Sequence, residues 1–131
     1  MKKLALFTVL TFSFLFLTVE ASAQTKSRVR FPAGTHGTSV KGTVRGYSYR
    51  DYIVGAAAGQ TMTVSMTASA MSTVFTIFNP DGTNLEEGSE TDSFRGELPV
   101  SGDYVVRVLM MRNEARRKGS VSNYTLKITI K

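Results

Sequence analysis

From residue 124 to residue 130 the chain alternates without a slip. Tyr124, Leu126, Ile128 and Ile130 fall on one side, and Thr125, Lys127 and Thr129 on the other. Successive side chains of an extended strand point to opposite faces, so this period of two specifies a strand with one buried and one wet face. A helix would instead repeat its apolar residues every three or four positions. The same alternation sets Met62, Val64 and Met66 against Thr61, Thr63 and Ser65. It recurs at Phe75 and Ile77, and at Tyr104, Val106 and Val108. Turn residues separate the runs: Gly59-Gln60, Asn79-Pro80-Asp81-Gly82 and Ser101-Gly102-Asp103. Strands are expected over residues 40–47, 51–57, 61–67, 73–78, 93–98, 104–111 and 123–130. Residues 68–72, rich in Ala and Met, are the least decided and could also form a short helical turn. The polar stretch 24–30 is expected to fray unless Val29 and Phe31 dock as an edge strand. The fold class is all-β: an antiparallel β-sandwich of about seven to eight strands.

The first 23 residues read as an export leader rather than as part of that fold. Lys2 and Lys3 precede an apolar run from Leu4 to Val19, and Ala21-Ser22-Ala23 is a small-x-small cleavage site. The run is short of the roughly 20 residues that a membrane span needs. Residues 1–23 are therefore expected to be a signal peptide, and residues 24–131 one domain whose first residue, Gln24, is readable by intact mass. Removing the leader from the 131 residues leaves 108, enough for one modest core. The chain has no Cys, so neither disulfides nor cysteine zinc sites can hold it, despite an oxidising compartment. The formal charge of +6 becomes +5 once Lys2, Lys3 and Glu20 are gone. A basic exported domain can meet an anionic envelope polymer or an acidic protein cleft; export makes nucleic acid the weakest partner class.

Little in the chain points to catalysis. The single His36 sits in the Gly-rich stretch Ala33-Gly34-Thr35-His36-Gly37, with no second His or Cys to build a nucleophilic or metal site. Glu86, Glu87, Glu90 and Asp92 form an acidic patch, read as a solvated loop between strands. The chain is expected to be a non-enzyme without metal or cofactor.

Two clusters look suited to binding. Gly46-Tyr47-Ser48-Tyr49-Arg50-Asp51-Tyr52 puts three tyrosines within six residues at a sandwich corner. One tyrosine there commonly ties its hydroxyl to backbone, which leaves another free as a rigid amphipathic contact. The second cluster follows the strand ending near Met111: Arg112, Asn113, Arg116, Arg117 and Lys118 crowd four cations into an exposed loop. Guanidinium groups pair with carboxylates through two hydrogen bonds and keep their charge at every relevant pH.

At these residues the chain resembles a known family, the periplasmic inhibitors of goose-type (g-type) lysozyme. The resemblance rests on the Gly46–Tyr52 block, on Ala58-Gly59-Gln60 and on Leu98-Pro99-Val100-Ser101-Gly102-Asp103-Tyr104. It continues through Arg107-Val108 into Arg112-Asn113-Glu114-Ala115-Arg116, and closes on Asn123-Tyr124. The stretch from about Ala68 to Arg95 departs from the family pattern, so no residue is carried over there. Gly59-Gln60 and the Ser-Gly-x-Tyr-x-x-Arg-Val pattern also fit the wider bacterial pre-peptidase C-terminal type of β-sandwich. What the resemblance implies is competitive occlusion of a muramidase groove that works through a carboxyl general acid. On that reading Arg112 and Arg116 meet the carboxylates, Tyr47 or Tyr49 and Asn113 flank them, and Arg117 and Lys118 lie at the rim. The partner would be a g-type lysozyme and the location periplasmic. The alternative is a basic envelope-binding β-sandwich module that recognises peptidoglycan or another anionic polymer without inhibiting an enzyme.

Overall fold

The computed structural model describes residues 25–131; the leader expected over residues 1–23 and the expected first residue, Gln24, lie outside them. Among the described residues eight strands run in order: β1 (Thr25–Arg28), β2 (Gly37–Arg45), β3 (Tyr49–Ala56), β4 (Thr61–Ala68), β5 (Thr73–Phe78), β6 (Ser93–Glu97), β7 (Gly102–Met110) and β8 (Val121–Ile130). A four-residue helical turn, α1 (Arg112–Ala115), lies between β7 and β8. One sheet has the order β1-β3-β7-β5 and the other β2-β8-β4-β6. Odd-numbered strands thus form one sheet and even-numbered strands the other, so each connection crosses the sandwich.

The alternating residues face where their period demands. Met62, Val64, Leu126 and Ile128 point inward from the even sheet and meet Phe75, Ile77, Tyr104, Val106 and Val108 from the odd sheet. Each such large side chain contributes about 1.5–3 kcal/mol when fully buried. Their partners Thr61, Thr63, Thr125, Lys127 and Thr129 cover the outer face of the even sheet.

The expected strands are all present, with three adjustments. The strand expected over 40–47 spans Gly37–Arg45, because Ser48 donates its hydroxyl to the Arg45 carbonyl (2.7 Å) and turns the chain before Tyr47 can pair. Residues 69–72 form no helix: 69–70 bend, with Ala70 N–H donating to Ser122 Oγ (3.3 Å) and Ser69 N–H to the Asn123 carbonyl (2.9 Å), and 71–72 make a tight turn closed by Thr73 N–H on the Ala70 carbonyl (3.1 Å). Finally, the sandwich is not wholly antiparallel. β1 pairs with β3 in parallel, Lys26 opposite Asp51 and Arg28 opposite Ile53. Arg28 clamps β1 by donating to both oxygens of Asp103, at 3.1 and 2.8 Å, across Gly55. These hydrogen bonds hold the Asp103 carboxyl below the usual carboxylate range. The clamp therefore survives as pH falls to the ordinary carboxylate range and is lost only below Asp103's own lowered value. Both groups are solvent-exposed, so water screens what the pair contributes.

After β5 the chain reverses at Asn79-Pro80-Asp81-Gly82, where Asp81 accepts from the Thr83 N–H (3.0 Å) and hydroxyl (2.6 Å). It then runs back along β5, with bridges at Phe78–Asn84 and Phe75–Thr91, and covers what would be an open sheet edge.

Two tyrosines link the sheets at the centre. Tyr52 of β3 and Tyr124 of β8 share a hydroxyl–hydroxyl bond of 2.5 Å, their rings edge to face at 6.4 Å. Burial, first, and this bond push the Tyr124 phenol far above its ordinary pKa. Gly42 on β2 makes room for both: a Cβ there would lie 2.3 Å from Tyr124 Oη and 3.0 Å from Tyr52 Oη. Gly42→Ala is thus expected to destabilise the fold by about 1–3 kcal/mol, the usual cost of overpacking. Urea unfolding reads this as a lowered midpoint at unchanged slope, and an unchanged midpoint would contradict it.

Candidate functional site: three crossing loops at one end

Because β8 lies between β2 and β4, and β7 between β3 and β5, three crossing connections run side by side at one end of the sandwich. The β7–β8 loop, residues 111–120, is central. The β2–β3 turn flanks it on one side and the β4–β5 loop on the other. Gly46 N–H donates to the Ser120 carbonyl (3.1 Å), and Met111 N–H to the Ser72 carbonyl (2.8 Å), so both flanks are tied to the centre. Asn113 Nδ2 donates to Ser72 Oγ at 3.4 Å. Beneath them Thr73 donates its hydroxyl to the fully buried Ser122 (2.6 Å), which joins the sheets under the loops.

The central loop is not irregular. After Met111 it closes the single turn α1, in which Arg116 N–H donates to the Arg112 carbonyl (3.0 Å). Ala115, 3% exposed, plugs that turn into the core. Residues four apart lie on one helix face, so Arg112 and Arg116 stack above each other with both side chains exposed. Among the described residues neither makes a side-chain hydrogen bond or ion pair. Arg117 stands off from Glu114 at 3.9 Å, and Lys118 is exposed at the loop's outer turn.

The two expected tyrosines part company. Tyr47 sits at the tip of the β2–β3 turn, 67% exposed, beside the central loop. Tyr49 begins β3 and is half-buried, its ring 4.0 Å from the Arg107 guanidinium carbon. Neither forms the backbone-tying corner; Tyr104 does, its hydroxyl donating to the Val100 carbonyl at 2.6 Å. A hollow of about 330 Å³ lies between the β2–β3 turn and the central loop, lined by Arg45, Gly46, Arg117 and Ser120.

Arg107 entered the sequence analysis only as part of the family pattern, with no role assigned to it. On the outer face of β7 it donates through Nε and Nη2 to the two oxygens of Asp51, at 2.8 and 3.0 Å. Its guanidinium lies between the rings of Tyr49 and Phe78, and Asp51 is only 2% exposed. The hydrogen bonds to Asp51, opposed by burial, raise the Arg107 pKa further. A charge between Val105 and Leu109 was the available signal. Its partner, 56 residues away, was not visible.

No catalytic constellation accompanies these loops. His36 is exposed, and among the described residues no group of three or more His, Cys, Asp or Glu could hold a metal ion. A shallow trough of about 590 Å³ on the outer even sheet is lined by Lys41, Thr43, Thr67, Asn123 and Thr125.

The fold is a small β-sandwich with three connections tied together at one end. No protein-family model matches the chain. It is 34% identical over 108 residues to the inhibitor of g-type lysozyme of Escherichia coli (strain K12), covering 79% of each chain. The crystal structure of the periplasmic inhibitor of g-type lysozyme from Aeromonas hydrophila superposes with a TM-score of 0.73 at 31% identity, over 82% of this chain and 97% of that one. Its Salmonella Typhimurium counterpart gives 0.64 at 30% identity, over 82% and 98%. The chain belongs to the family of g-type lysozyme inhibitors, proteins that block an enzyme and are not enzymes themselves.

The Asp51–Arg107 pair supports the β3–β7 flank of this end. Removing the guanidinium strands a carboxylate that water scarcely reaches. Arg107→Ala is expected to cost about 2–4 kcal/mol in urea unfolding, below the full buried-pair figure because Arg107 keeps some solvent. Arg107→Lys should recover only part, since it cannot make the two parallel hydrogen bonds. A loss under about 1 kcal/mol would mean an ordinary surface pair.

Proposed function

We propose that this protein is exported, matures as residues 24–131, and inhibits a g-type lysozyme in the periplasm by inserting its β7–β8 loop into the sugar-binding groove. The observation that carries the reading is the pair Arg112 and Arg116, presented on one helix face, exposed and without partners among the described residues. A muramidase groove holds carboxyl groups in a partly desolvated cleft. A guanidinium entering it meets an anion where water screens poorly, so a charged hydrogen bond is worth more than on an open surface. Arg112 and Arg116 pair with the carboxylates; Tyr47 packs its ring on the groove wall beside them. Asn113 is spent partly on Ser72, so its role is to hold the loop's shape. Tyr49, stacked on Arg107, supports the turn from behind. Arg117 and Lys118 remain at the wet rim. The relatives from Aeromonas hydrophila and Salmonella Typhimurium are periplasmic inhibitors of g-type lysozyme, which supports both the partner and the compartment.

A second reading keeps one observation of its own. Lys41, Lys127 and Arg95 stand among threonines on the outer even sheet, a face suited to an anionic polymer. The two readings respond differently to substitution. Arg112→Ala and Arg116→Ala should each weaken inhibition by about 2–5 kcal/mol, because the lysozyme carboxylate is left buried and unpaired. Arg117→Ala and Lys118→Ala should cost under about 1 kcal/mol, as screened pairs do. Titrating a g-type lysozyme with each variant at low and moderate salt measures the contrast. Equal small losses at all four positions, with steep salt dependence, would favour the polymer reading; no loss at Arg112 and Arg116 would remove the loop from the mechanism.

A further inference from the structure

We infer that the β4–β5 loop is a third arm of the same docking surface, with Met71 as an apolar contact that packs on the lip of the lysozyme groove. This rests on the reading that the β7–β8 loop enters that groove. Four large apolar side chains are exposed among the described residues: Tyr47, Met71, Val100 and Met111. Only Val100 lies at the opposite end of the sandwich, in the β6–β7 connection. The other three follow the order of the crossing loops: Tyr47 on the β2–β3 turn, Met111 at the root of the central loop, Met71 on the β4–β5 loop. Scattered single apolar residues need no explanation, but three lined up across one end mark a contact surface.

Met71 projects fully into solvent, whereas Met62, Met66 and Met110 of the adjoining strands are buried. Its backbone is not loose. Thr73 N–H donates to the Ala70 carbonyl (3.1 Å), and Ser72 is bonded to both Met111 and Asn113. The loop that carries Met71 is thus pinned to the loop that carries the arginines, and the two must approach a partner together. Met71 itself lines a hollow of about 350 Å³, together with Met66, Ala70, Thr73 and Asp92. The central loop carries its cations between Tyr47 on one flank and Met71 on the other, a row that fits a groove whose floor is acidic and whose two lips are apolar. An unbranched thioether adapts to an irregular lip without the cost of a rigid ring.

The test measures the inhibition constant against a g-type lysozyme for the full mature chain and for Met71→Ala, Met71→Leu and Arg112→Ala, with thermal unfolding as a control for the fold. Met71→Ala should raise the constant about fifteen- to sixtyfold, from the loss of two to three buried apolar groups. Met71→Leu should stay within about twofold of the parent, because volume-conserving apolar swaps are tolerated. The unfolding temperature should be unchanged in both. Parent-like inhibition by Met71→Ala beside a weakened Arg112→Ala would overturn the third arm and leave the arginine loop standing. Parent-like Arg112→Ala beside a weakened Met71→Ala would remove the arginine reading and place the contact on the β4–β5 flank alone. Equal losses in Met71→Ala and Met71→Leu would overturn the apolar-contact assignment.

Discussion

Apolar contact between the two inner faces carries this fold, because strand-to-strand pairing alone could not. Odd strands pair only with odd strands and even with even, so no two consecutive strands form a hairpin. Without a cysteine in the chain, nothing covalent staples one sheet to the other. What holds them is Phe75, Ile77, Tyr104, Val106 and Val108 against Met62, Val64, Leu126 and Ile128, with the Tyr52–Tyr124 and Thr73–Ser122 hydroxyl bonds bridging the layers. Contacts of long sequence separation must all form before any is secure, which makes for slow, cooperative folding. The same crossing pattern builds the proposed docking end. Connections that cross a sandwich gather at its ends, and neighbouring strands bring their connections together. Three of them lie side by side here, the basic one in the middle.

That placement explains why the cationic loop can be short and still precise in presentation. Ala115 seats the α1 turn in the core, and Ser120 and Ser72 tether its flanks, so the arginines are displayed on a supported ridge. Little conformational freedom remains to be lost when a partner docks, which favours affinity. Arginine is used twice in this region with opposite outcomes. Arg107 is fully committed, bonded to Asp51 and sandwiched between Tyr49 and Phe78, and serves the fold. Arg112 and Arg116 have no such partners among the described residues, and it is this unspent hydrogen-bonding capacity that an acidic groove can use.

Seven of the strands were legible because each has one buried and one wet face, and alternation records that directly. β1 was legible only as an alternative: residues 25–28 carry no alternation, and the edge strand forms, with Val29 buried and Phe31 packed on the core, through parallel pairing with β3 and the Arg28–Asp103 clamp. Alternation says which way a side chain faces but not which strand lies beside it, so the odd-and-even division of the sheets was invisible. The α1 turn was hidden because four residues are too few to display a helical period. At the site, the charge run and the tyrosine corner were plain in the sequence, whereas the choice between Tyr47 and Tyr49 depended on where β3 begins. Met71 sat in the least decided stretch, and its relation to the basic loop arises only from the topology.

On the proposed function, this end of the sandwich, and no other surface, meets the lysozyme. Backbone amide exchange of the protein, free and saturated with a g-type lysozyme, separates this end from every other face. New protection is expected at residues 46–48, 69–72 and 111–120, with the opposite end, residues 57–60, 79–82 and 98–101, unchanged. Protection spread over Lys41, Lys127 and Arg95 on the outer even sheet, with the three loops unaltered, would contradict it.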